Sequence, residues 1–186
     1  MTALPDPGEL LERLGVDLDT ETLRIALTHR SYAYEHPGEV HNERLEFLGD
    51  AVLQLAVTDE IFHRYPEWDE GSLAKLRASV VSARALAGVA KTLGLGPHIR
   101  LGKGEIRTHG AEKASILADT TEAIFGAIYL QHGFEPARDV ILKLFDEKLR
   151  TATVNKNGGE VKIEGRGTGP IDAYVDALTK ETGKDI

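Results

Sequence analysis

One stretch of this chain, residues 42–55, combines a stripe of carboxylates with an apolar face. It reads Asn-Glu-Arg-Leu-Glu-Phe-Leu-Gly-Asp-Ala-Val-Leu-Gln-Leu. Wound as an α-helix with about 3.6 residues per turn, it places Glu43, Glu46 and Asp50 on one narrow stripe. The opposite side carries the residues that a helix would bury in a core: Leu45, Leu48, Val52, Leu55 and Ala56. The pattern predicts a helix that packs into a core and keeps its carboxylates together.

The flanks of the acidic stripe are apolar too. Phe47, Leu53 and Val57 lie beside the carboxylates on the helical wheel, where they could be buried within the subunit or against a partner. Carboxylates in such surroundings lose hydration and repel one another, so they take up protons unless a cation compensates their charge. A divalent metal ion is the simplest such cation. Asn42 is a good N-cap and Glu43 suits the helix dipole, so Glu43 could instead serve the helix end.

Composition limits the class of protein. The chain has 186 residues, 41% of them hydrophobic and 28% charged, which suits one globular domain with a sizeable core. It has no cysteine, so any metal must be held by oxygen or imidazole. Residues 1–8 do not read as a signal peptide, and no stretch approaches the roughly 20 apolar residues of a membrane span. A cytoplasmic protein with no membrane anchor is expected.

Charge is spread unevenly along the chain. The net charge of −8 argues against an unfocused nucleic-acid binder, which would normally be basic. Residues 71–114, however, include eight basic residues and only two acidic ones, Glu105 and Glu112. The basic residues are Lys75, Arg77, Arg84, Lys91, Arg100, Lys103, Arg107 and Lys113. This segment could form a basic surface beside an acidic centre.

Apolar spacing predicts helices, and no strand, up to residue 149. We expect helices over residues 9–14, 42–64, 83–93, 116–132 and 136–149. Two further helices are expected, one that begins at a cap on Asp19 or Thr20 and runs into residues 28–31, and one that begins at a cap on Ser72. Residues 32–41 and 98–110 read as loops. The predicted fold class of this part is therefore all-α.

A second acidic pair lies on a second helix. Asp119 and Glu122 share one face of the predicted 116–132 helix, again among apolar neighbours. Two facing pairs would supply four carboxylates, which suit Mg²⁺ or Mn²⁺. Two metals about 4 Å apart are the usual arrangement for hydrolysing a phosphodiester. Glu60-Ile-Phe-His63 also matches the Glu-x-x-His spacing of di-iron bundles, but those proteins need the motif twice and it occurs once here.

Residues 42–50 resemble, position for position, the signature stretch of the ribonuclease III family of double-stranded-RNA endonucleases. Three further pieces resemble the same family in the same order: Leu-Thr-His-Arg-Ser at 27–31, Glu-Gly-Ser-Leu-Ala-Lys-Leu-Arg at 70–77, and Ser-Ile-Leu-Ala-Asp-Thr-Thr-Glu-Ala at 115–123. The resemblance covers the chain to about residue 149. It implies an all-helical endonuclease domain over residues 1–150 that works as a homodimer, with two metal sites at the ends of one RNA-binding valley.

The resemblance also assigns residues. The metal ligands of the family fall on Glu46, Asp50, Asp119 and Glu122, with Asp50 and Glu122 catalytic and Mg²⁺, replaceable by Mn²⁺, as the cofactor. The implied reaction leaves 5′-phosphate and 3′-hydroxyl ends. Contacts to RNA or to the dimer partner are expected from a further set: Glu43, His29, Arg30, Lys75, Arg77, Lys103, Arg107 and Lys113. His29 and Arg30 could equally form a structural helix end, and the basic residues after 102 could simply solubilise a loop. The alternative function is a non-cleaving double-stranded-RNA-binding or dimerisation module.

The tail, residues 151–186, departs from the family because it cannot hold a double-stranded-RNA-binding domain. Residues 160–164 alternate like one strand, residues 165–169 read as a glycine-rich turn, and Pro170 begins a helix with an apolar side. This piece is similar to the start of the regulatory domain of α-isopropylmalate synthases. It is too short for a whole regulatory domain, which argues against leucine binding, and a metabolite-sensing tail attached to a nuclease stays a third alternative. The predicted appendage is strand, turn and helix.

Overall fold

The computed structural model describes the backbone of residues 5–151, 153–156 and 159–162, and the side chains of residues 5–150. The helices in this part of the chain are α1 (Gly8–Leu14), α2 (Thr20–Ala26), α3 (Arg30–Glu35), α4 (Glu43–Arg64), α5 (Glu70–Val80), α6 (Ala83–Leu93), α7 (Lys103–Arg107), α8 (Ala114–His132) and α9 (Phe134–Thr151). Two short 3-10 turns cover Gly96–His98 and Gly110–Glu112. The all-α prediction is confirmed.

The core is built around α4 and α8, which pack against each other along much of their length. α6 and α9 cover α8, while α5 and α9 cover α4. Leu53, Val57 and Ile124 are fully buried where these helices meet. Within residues 5–151 the helices are too short or too polar to cross a membrane.

α4 has the bounds predicted for it, but its buried face is rotated from the one expected. Leu53 and Val57 are fully buried, whereas Leu55, assigned to the core, is 55% exposed. The reason is that α8 packs on the Gly49 side of α4, and Leu55 points well away from that side. Phe47, which could have been buried, is 82% exposed.

The start of α4 also differs from the prediction. Asn42 makes no side-chain cap, and its backbone is already helical. Its buried side chain instead donates to the backbone oxygen of Ala26 at 3.2 Å. Asn42 therefore ties α4 to the end of α2, a long-range role that local spacing does not reveal.

Residues 27–35 were predicted as the end of one helix and the start of a loop, which is wrong. α2 ends at Ala26, because Thr28 leaves the helix to form an isolated parallel bridge with Arg100. A new helix, α3, then begins after His29, whose Nδ1 accepts from the Ser31 N–H at 3.3 Å. The expected loop at 98–110 likewise contains α7.

Beyond α9 the chain forms a hairpin. β1 (Thr153–Lys156) pairs antiparallel with β2 (Gly159–Lys162), and Val154 lies opposite Val161. β2 overlaps the strand predicted at 160–164, but β1 was not predicted, since four residues are too few for a periodicity argument. The turn at 165–169 and the helix from Pro170 lie outside the described residues.

The N-cap residue of α5 differs from the one predicted, and the difference can be tested directly. Ser72 was expected to cap this helix, but the N-cap is Asp69, whose carboxylate accepts from the Ser72 N–H at 2.8 Å. We expect Asp69→Ala to lower the free energy of unfolding by about 1 kcal/mol, because an orphan backbone donor loses its partner. Ser72→Ala should cost clearly less, since its backbone N–H remains capped. Paired urea unfolding curves measure both, and an equal loss in the two variants would contradict the assignment.

Candidate metal centre

Two glycines allow α4 and α8 to approach closely. A Cβ added to Gly49 would lie 1.7 Å from the backbone oxygen of Glu122, and a Cβ added to Gly126 would lie 2.3 Å from the backbone oxygen of Leu45. No side chain fits at either place. Sequence reasoning passed over both glycines, although a glycine inside a strong helical pattern is itself a signal of close backbone approach.

This crossing brings three of the four predicted metal ligands together. Glu46 from α4 and Asp119 and Glu122 from α8 each offer a carboxylate oxygen within 4.8 Å of the others, and all three side chains are half-buried. Asp50, the fourth predicted ligand, is exposed and lies outside this group of three. It accepts a hydrogen bond from the Gln54 side-chain amide at 3.3 Å.

The electrostatics of the cluster are those of an uncompensated group of acids. Burial, with the nearby charges of Asp50, Asp119 and Glu46, raises the pKa of Glu122 to about 7. Burial and the charge of Asp119 likewise raise the pKa of Glu46. Burial also raises the pKa of Asp119, although His29 opposes that shift. Three carboxylates that resist ionisation together favour a bound cation.

The donors fit a divalent metal ion. Within residues 5–150, Glu46, Asp119 and Glu122 form a group of oxygen ligands close enough to share one ion. Carboxylate oxygens are hard donors of the kind that Mg²⁺ and Mn²⁺ prefer. The acidic cluster could therefore hold a divalent cation.

A cleft of about 530 Å³ opens beside the cluster. Its lining comprises His29, Arg30, Asn42, Glu43, Glu46, Glu105, Lys113, Ser115, Ile116 and Asp119. Arg30 donates to Glu43 at 3.2 Å across one wall, and Lys113 donates to Glu105 at 2.6 Å across the other. Four of the residues predicted to contact RNA or a partner thus line the cleft beside the cluster: Glu43, His29, Arg30 and Lys113. Glu105 also lines the cleft. The sequence identified it only as one of two acidic residues in a basic segment, not as a site residue.

The remaining predicted contacts lie outside the cleft lining. Lys75, Lys103 and Arg107 are exposed on α5 and α7. Arg77 is partly buried and donates to the Thr58 hydroxyl at 3.0 Å.

The Glu60 and His63 pair does not form a metal site. Glu60 accepts from Arg64 at 2.6 Å and from Arg138 at 3.1 Å, so cations already compensate its charge. His63 lies near Asp59 instead, at 3.4 Å.

The raised pKa values predict how the metal-free protein responds to pH. The pKa of Glu122 is about 7 in the folded state, above its ordinary value of 4.5. Between these two pH values the folded state therefore holds a proton that the unfolded chain has released. We therefore expect the free energy of unfolding to fall as pH rises from about 4.5 to 7. Urea unfolding in chelator across this range measures the slope. Glu122→Gln should flatten it, and an equally steep slope in that variant would contradict the assignment.

The comparisons with known proteins point one way. The Ribonuclease-III-like family matches residues 19–149. Ribonuclease 3 of Mycobacterium tuberculosis is 63% identical over 146 residues, which cover 77% of this chain and 61% of that protein. Ribonuclease 3 of Corynebacterium glutamicum is 55% identical over 148 residues, which cover 80% of this chain and 60% of that protein. The chain thus spans about three fifths of the length of the curated relatives it matches.

Solved structures agree. A structure of the nuclease domain of ribonuclease III from Campylobacter jejuni, concerned with flexibility in a region involved in dimer formation, matches with a TM-score of 0.73 and 42% identity. The match covers 77% of this chain and 98% of that one. The match to the family spans more than half of the chain and confirms the resemblance of residues 27–123. This chain belongs to the ribonuclease-III-like family.

Proposed function

We propose that this chain is a divalent-metal-dependent endoribonuclease that hydrolyses the phosphodiesters of double-stranded RNA, leaving 5′-phosphate and 3′-hydroxyl ends. The observation that carries the proposal is the meeting of Glu46, Asp119 and Glu122 within 4.8 Å beside an open cleft. Mg²⁺ is the proposed cofactor, with Mn²⁺ able to replace it. The catalytic domain would occupy residues 1–150 and residues 151–186 an appendage. An RNA substrate favours the cytoplasm as the compartment.

The roles of the acids follow from their positions. Glu46, Asp119 and Glu122 would hold the metal, since each offers a carboxylate oxygen within 4.8 Å of the others. A divalent ion bound there would supply Lewis-acid polarisation and would lower the pKa of a bound water. Asp50 is near enough to raise the pKa of Glu122 by its charge, so its carboxylate would be the fourth residue to hold the metal.

Basic side chains would contact the RNA backbone. Arg30 and Lys113 stand on the cleft walls, each paired with a glutamate that a phosphate would replace. Lys103 and Arg107 are exposed on α7, the helix that continues one of these walls. Phosphate contacts position a duplex without reading its sequence, which suits recognition of double-stranded RNA by shape.

The proposed active form is a homodimer. α4 carries exposed apolar side chains at Phe47 (82%), Leu55 (55%) and Phe62 (63%), with exposed Ala51 between the first two. These four lie within about 80° of helix arc. They run beside the acidic stripe, so a second copy seated on them would lie next to the metal cluster. An exposed apolar strip of this kind marks an interaction surface.

Substitution of this strip tests the dimer. Phe47→Asp should convert the dimer to monomer in analytical ultracentrifugation, because it introduces a charge into a buried apolar contact. Helical content should not change, since Phe47 is exposed within the subunit. Tyr34→Asp is the matched control, since Tyr34 is 77% exposed on a different helix. A Phe47→Asp variant that stays dimeric would exclude this face.

A cleavage assay tests the proposed activity. The purified chain is incubated at low salt with a uniformly labelled RNA duplex or a single-stranded control, with Mg²⁺, Mn²⁺ or chelator. Metal-dependent conversion of the duplex alone to 5′-phosphorylated fragments is expected. Cleavage in chelator, or equal cleavage of the single strand, would contradict the proposal.

Binding without cleavage would favour the second candidate, a non-cleaving RNA-binding or dimerisation module. Removing residues 151–186 and repeating the assay then separates that outcome from inhibition by the tail. Cleavage that starts on removal of the tail would support the enzyme. A truncated dimer that binds the duplex but stays inactive would support the module.

A further inference from the structure

Arg100 lies outside the cleft and was noted in the sequence only as one of several basic residues. Its guanidinium makes a bidentate pair with Glu39, with both distances at 2.8 Å, and also donates to the Thr28 hydroxyl at 3.0 Å. The same group lies 4.2 Å above the ring of Tyr32. Arg24 donates to Glu39 as well. The side chain of Arg100 is 14% exposed and those of Glu39 and Arg24 are 24% and 32% exposed, so Arg100 is the hub of a partly buried network.

The backbone of Arg100 reinforces this network. Its N–H donates to the Leu27 oxygen at 2.8 Å, and its oxygen accepts from the His29 N–H at 3.1 Å. The two hydrogen bonds bracket Thr28, which is fully buried. Arg100 therefore fixes the segment that leads into the cleft wall at His29.

From this segment a chain of hydrogen bonds reaches the metal cluster. The Thr28 oxygen accepts from the Asn42 N–H at 2.9 Å, and the Asn42 oxygen accepts from the Glu46 N–H at 2.9 Å. Glu46 is one of the three clustered carboxylates. Arg100 is thus connected to the backbone of a metal-cluster residue through only Thr28 and Asn42.

The other wall of the cleft is tied to the same region. The Gly102 N–H donates to the Ser31 hydroxyl at 2.9 Å, and the Lys103 N–H donates to the Glu35 carboxylate at 2.8 Å. Both bonds join the start of α7 to α3. α7 carries Glu105, the partner of Lys113 across the cleft.

We propose that Arg100, through its pair with Glu39, is a positioning residue for the metal cluster. It holds the first turn of α4 and the His29 wall at the spacing that lets Glu46 meet the carboxylates of α8. The proposal rests on the proposed function for its consequence, which is weaker metal binding and slower cleavage when the pair is lost. Its structural content, local ordering of residues 27–46, does not depend on RNA cleavage.

A matched control lies at the other end of α4. Arg138 donates to Asp59 at 3.3 Å and to Glu60 at 3.1 Å, and its side chain is 26% exposed. It therefore also joins two segments through carboxylate contacts, but at a distance from the cluster along the helix. Arg138→Gln and Arg100→Gln should both lower the melting temperature, since each removes an arginine that joins two segments. The two variants should differ in Mn²⁺ affinity and in the amide exchange of residues near the metal cluster.

The experiment compares both variants by Mn²⁺ titration, by amide hydrogen exchange of His29 and Glu46, and by single-turnover cleavage. Arg100→Gln should weaken Mn²⁺ binding by about 10-fold, the lower end of the effect of losing a group that hydrogen-bonds a metal ligand directly, because Arg100 reaches Glu46 only through Thr28 and Asn42. The two amides should exchange faster, and the cleavage rate should fall. Arg138→Gln should stay within about twofold of wild type in all three. Arg100→Lys should recover only part of the loss, because lysine lacks the bidentate fork.

Equal Mn²⁺ affinity and equal exchange in Arg100→Gln and Arg138→Gln would overturn the proposal. If Arg100→Gln does not fold, Glu39→Gln makes the same comparison, since it keeps the contacts of Arg100 to Thr28 and Tyr32. If the wild-type protein does not cleave RNA, the proposed function fails. The exchange of the His29 and Glu46 amides still decides the positioning role.

Discussion

Glu122→Gln is expected to abolish RNA cleavage and, at the same time, to stabilise the metal-free protein above pH 7. The substitution keeps the shape of the side chain but removes one charge from the group of Glu46, Asp119 and Glu122. Metal binding loses a ligand, so we expect a fall in cleavage of at least about 100-fold, beyond the usual effect of losing a mere supporting residue. Without metal, the same change removes repulsion and the desolvation of an ionised carboxylate.

The sign of the stability effect follows from linkage. Because the pKa of Glu122 is raised to about 7 by burial and by neighbouring acids, ionisation above that pH destabilises the folded state. Urea unfolding at pH 8 in chelator should give a higher free energy of unfolding for Glu122→Gln than for wild type. Glu67→Gln, an exposed residue away from the cluster, is the control and should change neither property. A Glu122→Gln variant that still cuts near the wild-type rate would remove Glu122 from the site.

Among the glycines of residues 5–150, Gly49 is expected to tolerate an added methyl group least. Its Cβ would lie 1.7 Å from the Glu122 backbone oxygen, far inside van der Waals contact, and its three nearest neighbours are all backbone atoms of α8, so no flexible side chain can move aside. α4 and α8 must separate, so we expect a loss of about 3 kcal/mol or more, at the upper end of the cost of overpacking. Separation would also pull Glu46 away from Asp119, so Mn²⁺ affinity should fall in any variant that still folds.

Gly126→Ala should act in the same direction, because its Cβ would lie 2.3 Å from the Leu45 oxygen. Gly104→Ala is the matched control: it also lies in a helix, but its added Cβ would meet nothing within 4 Å. Alanine should there be neutral or stabilising by up to about 1 kcal/mol from helix propensity. Thermal unfolding and Mn²⁺ titration of the three variants make the comparison. Equal stability in Gly49→Ala and Gly104→Ala would show that the two helices do not meet as described.

The features of the fold and of the site that could be predicted are those determined by residues close together in the sequence. The bounds of α4 and α6 followed from apolar periodicity and from stop signals such as Gly94, which adopts a positive φ of 68°. The pairing of Glu46 with Asp119 and Glu122 followed from two acidic stripes on two core helices and from the family resemblance. Leu55 was misplaced because periodicity gives a face but not the direction of its partner helix.

Features set by long-range contacts escaped prediction. The break between α2 and α3 depends on the bridge from Thr28 to Arg100, and those residues are far apart in sequence. Asn42 was expected to cap α4 because capping residues are recognised from the local sequence. Its side-chain amide instead donates a hydrogen bond to the backbone oxygen of Ala26, on another helix. Asp50 stays a prediction as a metal ligand: its spacing fits the acidic stripe, but the three clustered oxygens do not include it.

The central claim is that the carboxylates gathered where α4 crosses α8 hold a divalent cation. Titration of metal-free wild-type protein with Mn²⁺ at pH 8, followed by calorimetry beside Glu46→Gln and Glu67→Gln, tests it most directly. We predict saturable binding to wild type and to Glu67→Gln, and at least about 100-fold weaker binding to Glu46→Gln. Wild-type protein that binds no Mn²⁺, or a Glu46→Gln variant that binds it as tightly as wild type, would contradict the claim.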